Sequence, residues 1–80
     1  MLLKPISSEK AVKLLELDNT MVFATERRAK KDEIKKYIED MFSVKVESVR
    51  TFIRNNEKYA YVRFNKNNLA VDLAAKLGMI

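Results

Sequence analysis

Tyr59 and Tyr61 stand two residues apart with Lys58 and Arg63 beside them, and in an extended chain that spacing puts both rings on one face. Aromatic rings among cations make a surface on which unpaired nucleobases stack while their phosphates are neutralised. A second cluster, Arg27, Arg28, Lys30 and Lys31, stands just ahead of a helical pattern. Cations at the positive end of a helix dipole oppose the helix, so this cluster is a poor choice for stability and a good one for an external polyanion. Covalent chemistry has no equivalent support. The 80 residues include no Cys and no His, which removes thiolate nucleophiles, imidazole bases, disulfides and the usual zinc sets. The single glycine, Gly78, rules out a phosphate-cradling glycine loop. Lys, Tyr and carboxylates remain, but nothing pairs them at a telling spacing, so no enzyme, cofactor or metal is expected.

The net charge of +5 is concentrated. Residues 27–36 hold six basic side chains, Arg27, Arg28, Lys30, Lys31, Lys35 and Lys36, against Asp32 and Glu33, a local +4. Residues 50–66 hold Arg50, Arg54, Lys58, Arg63 and Lys66 against Glu57, another +4, and everything else sums to −3. Two basic segments at structural junctions fit a phosphate-tracking surface. A plainer account competes for part of this charge: Asp32–Lys36, Lys35–Glu39 and Lys36–Asp40 each stand four apart and would pair on a solvated helix face.

The elements that must position these groups are legible from periodicity. With 48% apolar and 34% charged residues and no linker, repeat or low-complexity block, the chain reads as one globular domain over 1–80. At this size folding buries only about 60% of the unfolded surface, which leaves a few kcal/mol of stability. No apolar run reaches the roughly 18 residues of a spanning helix and the first residues lack signal-peptide features, so a soluble intracellular protein is expected. Leu2 to Ile6 reads as a short edge strand, limited by Pro5. Ser7 or Ser8 caps a helix over Glu9 to Leu17 with Ala11, Val12 and Leu15 on one side, and Asp18 and Asn19 turn the chain into a buried strand, Thr20 to Thr25. Ile34, Tyr37, Ile38 and Met41 form an apolar stripe on a helix from Lys31 to Phe42. A strand from Val44 to Ile53 changes phase near Glu47 and Ser48, which a bulge would explain. It pairs through the turn Arg54 to Glu57 with a strand that sets Ala60, Val62 and Phe64 against Tyr59, Tyr61 and Arg63. Asn67 or Asn68 caps a last helix ending at Leu77, with Gly78 as its left-handed stop. The order β-α-β-α-β-β-α predicts an α+β fold, a small antiparallel four-stranded sheet packed with three helices.

Residues 59–64 also satisfy the last six places of the RNA-recognition-motif octamer. Glu57 and Lys58 fail its first two, Val22 to Arg27 does not supply the companion hexamer, and no closing strand follows the last helix. A free single-stranded RNA reader using Tyr59 and Tyr61 is the alternative this pattern keeps open. Aromatic residues on a sheet face more often pack under a helix, and that is the expectation for both tyrosines.

Five runs occur in an order that resembles one family: residues 8–11 (Ser-Glu-Lys-Ala), 18–23 (Asp-Asn-Thr-Met-Val-Phe), 29–36 (Ala-Lys-Lys-Asp-Glu-Ile-Lys-Lys), 42–51 (Phe-Ser-Val-Lys-Val-Glu-Ser-Val-Arg-Thr) and 58–62 (Lys-Tyr-Ala-Tyr-Val). Together they are similar to large ribosomal subunit protein twenty-three, the universal exit-tunnel protein family, and residues 72–80 are similar to its archaeal and eukaryotic branch. The resemblance covers nearly the whole chain. It implies a structural, non-catalytic constituent of the cytoplasmic ribosome that binds large-subunit rRNA near the polypeptide exit tunnel, beside neighbouring ribosomal proteins. It further implies a docking site for nascent-chain factors such as the signal recognition particle, carried at Glu9 in the Ser8-Glu9-Lys10 run. As an ordinary first-turn acid, Glu9 also suits the helix dipole without any partner. The basic start of the second helix and the strand positions Arg50 and Thr51 match places where the family faces rRNA. The candidate rRNA-binding set is therefore Lys10, Arg27, Arg28, Lys30, Lys31, Lys35, Lys36, Arg50, Thr51, Arg54, Lys58 and Arg63.

Three departures from the family pattern bear on that set. Lys30 stands where the family often has Thr, so the capping box with Glu33 is expected to be lost and an RNA contact by Lys30 gains ground. Tyr59 replaces a frequent basic residue, which removes a phosphate contact there. The turn from Arg54 to Glu57 is too short to be the tunnel-reaching loop of bacterial members, so no tunnel-lining role is expected.

Overall fold

A computed structural model describes residues 2–78; Met79 and Ile80, the end of the last run of family resemblance, lie outside the described residues. Seven elements follow in the expected order: β1 (Leu3–Pro5), α1 (Glu9–Asp18), β2 (Thr20–Thr25), α2 (Lys31–Phe42), β3 (Val46–Arg54), β4 (Glu57–Phe64) and α3 (Ala70–Lys76). The strands form one antiparallel sheet in the order β1-β2-β4-β3. Pro5 sits on an edge strand, where its missing N–H costs no ladder bond.

The register sorts every strand residue to one of two faces. Met21 lies opposite Val62 and Phe23 opposite Ala60, while Val49 and Thr51 lie opposite Val62 and Ala60 from the other side. These residues share one face with Val46 and Phe64. The phase change expected near Glu47 and Ser48 is a bulge: Val46 pairs with Phe64 and Ser48 with Arg63, so one extra residue on β3 brings Val46 and Val49 to the same face. β3 is displaced by two residues at its start and one at its end from the expected Val44 to Ile53, because the Asn55-Asn56 turn pairs Arg54 with Glu57. Both turn asparagines have positive φ, 52° and 65°, as the two-residue hairpin matching strand twist requires.

Ile34 and Ile38 of α2, Leu73 and Ala74 of α3 and Leu15 of α1 close over Met21, Phe23, Ala60, Val62 and Phe64 to make the core. The α2 stripe departs from expectation at its end. Met41 is 56% exposed, while Phe42 packs on the core with Tyr37. The buried row runs at i, i+4, i+8 through Ile34, Ile38 and Phe42, as the helix's own ridge of side chains does when it crosses strands obliquely.

Caps set the helix ends. Ser8 accepts a hydrogen bond from the Ala11 amide at 3.2 Å, as expected of an N-cap. Neither Asn67 nor Asn68 caps α3, which corrects the sequence expectation. Asn68 Oδ1 accepts instead from the Lys45 amide at 2.9 Å. The α3 amide of Ala70 donates to Asn19 Oδ1 at 2.6 Å, from a residue 51 positions away. Asn19 closes α1 in the left-handed region, φ 51°, with its own N–H donated to Leu14. Its carbonyl accepts from the Phe64 amide at 3.1 Å. Its Nδ2 donates to the carbonyls of Phe64 (3.1 Å), Asn65 (3.2 Å) and Asn68 (3.1 Å). Gly78 ends α3 with φ 76°, its N–H donated to Ala75 at 3.1 Å, as expected.

Asn19→Ala should destabilise the domain by roughly 2–4 kcal/mol, from the half-buried groups it strands and from the left-handed backbone that alanine resists. Asn19→Gly, which keeps the backbone freedom and loses only the side-chain bonds, should fall between the two in urea unfolding.

Candidate nucleic-acid interface

The face of the sheet turned away from α2 and α3 carries the other half of each strand. Arg63 lies opposite Ser48, Tyr61 opposite Arg50, and Tyr59 opposite Phe52, with Arg54 and Glu57 closing the hairpin end. On β2, Val22 and Ala24 back the two tyrosines, and Lys4 of β1 follows opposite Ala24. The expectation that Tyr59 and Tyr61 pack under a helix is corrected. Both are half-buried on the face opposite Ala60 and Val62, and α1 borders that face along β2 without covering the rings. They are held by Phe52, which stacks on Tyr59 at 5.3 Å between ring centres and meets Tyr61 edge-on at 4.9 Å. The Arg50 guanidinium lies 5.7 Å from the Tyr61 ring centre.

Phe52 is the residue that sequence reasoning missed, together with Lys4. The signal was present: Arg50, Phe52 and Arg54 alternate along β3, and counting back from a two-residue Asn55-Asn56 turn sets them opposite Tyr61, Tyr59 and Glu57.

Three depressions run in series across this face. One at the hairpin end is bordered by Lys4, Arg27, Glu26, Glu57 and Tyr59. A cleft of about 140 Å³ lies between α1 and the rings, with Leu14, Val22, Phe52 and both tyrosines as its apolar walls and Lys10 and Arg54 at its margin. A polar hollow of about 280 Å³ follows, lined by Arg50, Arg63, Ser48, Thr20, Asp18 and Tyr61. Tyr59 links the first two and Tyr61 the last two, so the depressions form one track. Arg63 meets Asp18 at 3.4 Å with both side chains about half exposed, a surface pair that contributes roughly 0–1 kcal/mol and leaves the guanidinium available.

The candidate cations divide accordingly. Lys10, Arg50, Arg54 and Arg63 lie on or beside the open face, and Arg27 borders its end. Arg28, Lys30 and Lys31 are exposed around the start of α2, and Lys35 and Lys36 are exposed on α2, in the layer behind the sheet. The two basic segments therefore meet only at the hairpin end. Thr51 shares the helix-covered face with Ala60, since strand alternation turns it away from Arg50. Lys58 also points to that side: its ammonium donates to the carbonyls of Ala29 at 2.6 Å and Arg27 at 3.4 Å, tying down the β2–α2 loop. The expected loss of the capping box at Lys30 is half realised. A lysine ammonium has no lone pair to accept the N3 amide, but Glu33 Oε1 still accepts the Lys30 N–H at 3.0 Å. None of the three expected helix pairs of α2 is within ion-pair range among the described residues, where Arg63–Asp18 is the pair formed. Glu39 instead accepts the Val46 amide at 3.0 Å, fixing the start of β3. Glu9 is exposed in the first turn of α1.

The Tyr59 hydroxyl donates to Glu57 Oε2 at 2.6 Å. That bond pushes the phenol above its ordinary 10.0, with desolvation and the Glu57 charge adding to it. The rim of the ring track stays a neutral donor as far as alkaline pH.

A family model described as ribosomal protein L23 matches residues 1–75. The large ribosomal subunit protein uL23 of Cyberlindnera jadinii is 44% identical over 77 residues, covering 95% of this chain and 54% of that protein. The chain thus spans about half the length of that relative.

Because the raised folded-state value means the Glu57–Tyr59 contact stabilises below the unfolded phenol pKa and is lost as pH rises through the folded one, its contribution should vanish in the alkaline range only. Ultraviolet titration of Glu57→Gln should show one tyrosine ionising at lower pH than in the parent protein; an unchanged curve would remove the contact from the account.

Proposed function

The chain belongs to the ribosomal protein L23 family, and from that premise we propose that it is an rRNA-binding structural constituent of the large ribosomal subunit whose sheet face opposite α2 and α3 lies against rRNA. One observation carries the assignment of the face: three interlocked, half-buried rings, Phe52, Tyr59 and Tyr61, stand at the surface between arginines and lysines. Leaving that much aromatic surface open in a small domain has no folding advantage, and rings among cations suit nucleobases and phosphates together. Lys4, Lys10, Arg50, Arg54 and Arg63 are the cations placed to neutralise the backbone, with Arg27 and Arg28 extending the surface past the hairpin end. Lys30, Lys31, Lys35 and Lys36 form a second basic area behind the sheet, where a folded rRNA would have to reach around the domain. The protein acts through binding and shape, without a catalytic step.

The reading includes a division of labour. Glu9, exposed at the start of α1, is the proposed docking point for exit-site factors such as the signal recognition particle, close enough to Lys10 to stand at the edge of the RNA-facing surface. Neighbouring ribosomal proteins and the cytoplasmic ribosome complete the setting. The open ring face also favours a second reading, a free single-stranded RNA reader built on Tyr59 and Tyr61. The two differ in sequence dependence: a free reader discriminates among short single strands, whereas a ribosomal constituent follows the folded rRNA site.

Filter binding to a large-subunit rRNA fragment over a salt series tests the reading. About five phosphate contacts predict a log–log slope of roughly −3.5 to −4.5, and Arg54→Ala or Arg50→Ala should each flatten it by about 0.7–0.9. A flat salt response would sink the proposal. Glu9→Ala should leave rRNA affinity unchanged and weaken binding of the signal recognition particle to ribosomes carrying the variant; equal loss of both would contradict the division.

A further inference from the structure

The cleft and the polar hollow share a single wall, Tyr61. On one side the space is apolar, closed by Leu14 and Val22 beneath and by Phe52 and Tyr59 alongside. On the other it is lined by Arg50, Arg63, Ser48, Thr20 and Asp18, with the Thr20 hydroxyl turned to Asp18. The apolar side, about 140 Å³, falls below the roughly 300 Å³ at which sites for drug-sized ligands begin. It suits one planar ring system. A paired helix presents no such ring at its surface, because its bases are stacked and its outer edge is phosphate.

We propose that this pair of depressions is a site for a single unpaired nucleotide of the bound RNA: the base enters the cleft between α1 and the rings, and its phosphate lies beyond Tyr61 in the hollow of Arg50 and Arg63. The inference rests on the RNA-binding reading of the same face and specifies what that face takes. Arg50 is the principal phosphate partner. Its guanidinium is already placed near Tyr61 and forms no ion pair among the described residues, whereas Arg63 is shared with Asp18. Asp18 is the one carboxylate lining the hollow, and its attachment to Arg63 draws its charge away from an arriving phosphate. At the cleft margin Lys10 and Arg54 are set to take the phosphate on the base's other side. Tyr61 separates an apolar compartment from a cationic one as the glycosidic link separates base from phosphate, which neither a peptide side chain nor an inorganic anion reproduces.

Two hairpin RNAs that differ only by one inserted, bulged 2-aminopurine, the other being fully paired, are titrated against the full chain at fixed salt, with adenosine monophosphate as a third probe. The bulged hairpin should bind at least roughly five-fold tighter than the paired one, the lower end of what one stacked base contributes, with quenching of the 2-aminopurine fluorescence. Leu14→Trp, which fills the cleft from α1, should bring the bulged hairpin to the affinity of the paired one. Tyr61→Leu, which retains an apolar side chain and removes the stacking wall, should do the same, so the test does not depend on one variant folding. Equal affinity for the two hairpins overturns the site, and with a steep salt dependence retained it leaves the RNA-facing surface standing. Failure to bind either hairpin removes both. Adenosine monophosphate binding as tightly as the bulged hairpin would make this a free-nucleotide site and overturn its assignment to RNA.

Discussion

Three segments of the chain are held together by the side chain and backbone of Asn19. Its N–H closes α1 on Leu14, its carbonyl accepts the Phe64 amide at the end of β4, its Nδ2 gathers carbonyls of Phe64 and the β4–α3 connection, and its Oδ1 takes the first free amide of α3. A helix as short as α3, seven residues, is below the length at which helices persist on their own. Its packing through Ala70, Leu73 and Ala74 therefore depends on a start point supplied from elsewhere. A side-chain amide offers two donor hydrogens and an acceptor oxygen on one uncharged group, where a hydroxyl has a single hydrogen, and Asn is also the non-glycine residue that best tolerates the left-handed backbone the end of α1 needs. Two requirements, a helix stop and a remote helix start, meet in one residue.

With α3 fixed there and α2 laid over β3, these two helices cover one face of the sheet, and the opposite face is flanked by α1 along β2 and open to water over β4 and β3. A four-stranded sheet with one open face ordinarily carries polar residues on it. This one carries rings, so the open face gives up solubility that a purely structural sheet would keep. The cross-strand contacts of Phe52 with both tyrosines lessen that cost by removing ring edges from water and fixing ring orientation before any ligand arrives. Pre-orientation limits what binding must spend on ordering side chains. Binding in turn stabilises the folded state by mass action, which matters for a domain whose core is this small.

Much of this was legible in the residues. Strict alternation gave β4 and its two faces, the 3.6-residue period gave α2 to its last residue, and the phase slip between Val46 and Val49 marked the bulge. Each of these signals is local, set by neighbours within one element. The features that sequence reasoning misplaced are those decided by distant partners. Asn68 has every local attribute of a helix cap, yet the Lys45 amide claims its side chain. Met41 has the right spacing for the core, yet the helix's oblique path over the strands buries Phe42 in its place. The family resemblance supplied the class of the proposed ligand, but it treated Arg50 and Thr51 as neighbours in function, whereas adjacent residues of a strand point to opposite faces.

Lys58 shows why charge counting alone describes this surface poorly. In the sequence it is one of five cations in a basic segment and stands directly beside the tyrosines. In the fold it occupies the helix-covered side of β4, where its ammonium donates to two carbonyls of the β2–α2 loop. The side chain reads as binding machinery in one dimension and as a strut in three. The same alternation that turns Lys58 inward turns Tyr59 outward, and by holding the β2–α2 loop it keeps Arg27 at the hairpin end of the open face. A +4 segment is thereby divided: Lys58 builds the loop, Lys66 lies beyond β4 near the end of α1, and Arg50, Arg54 and Arg63 stand beside rings that only the sheet's register could have brought together.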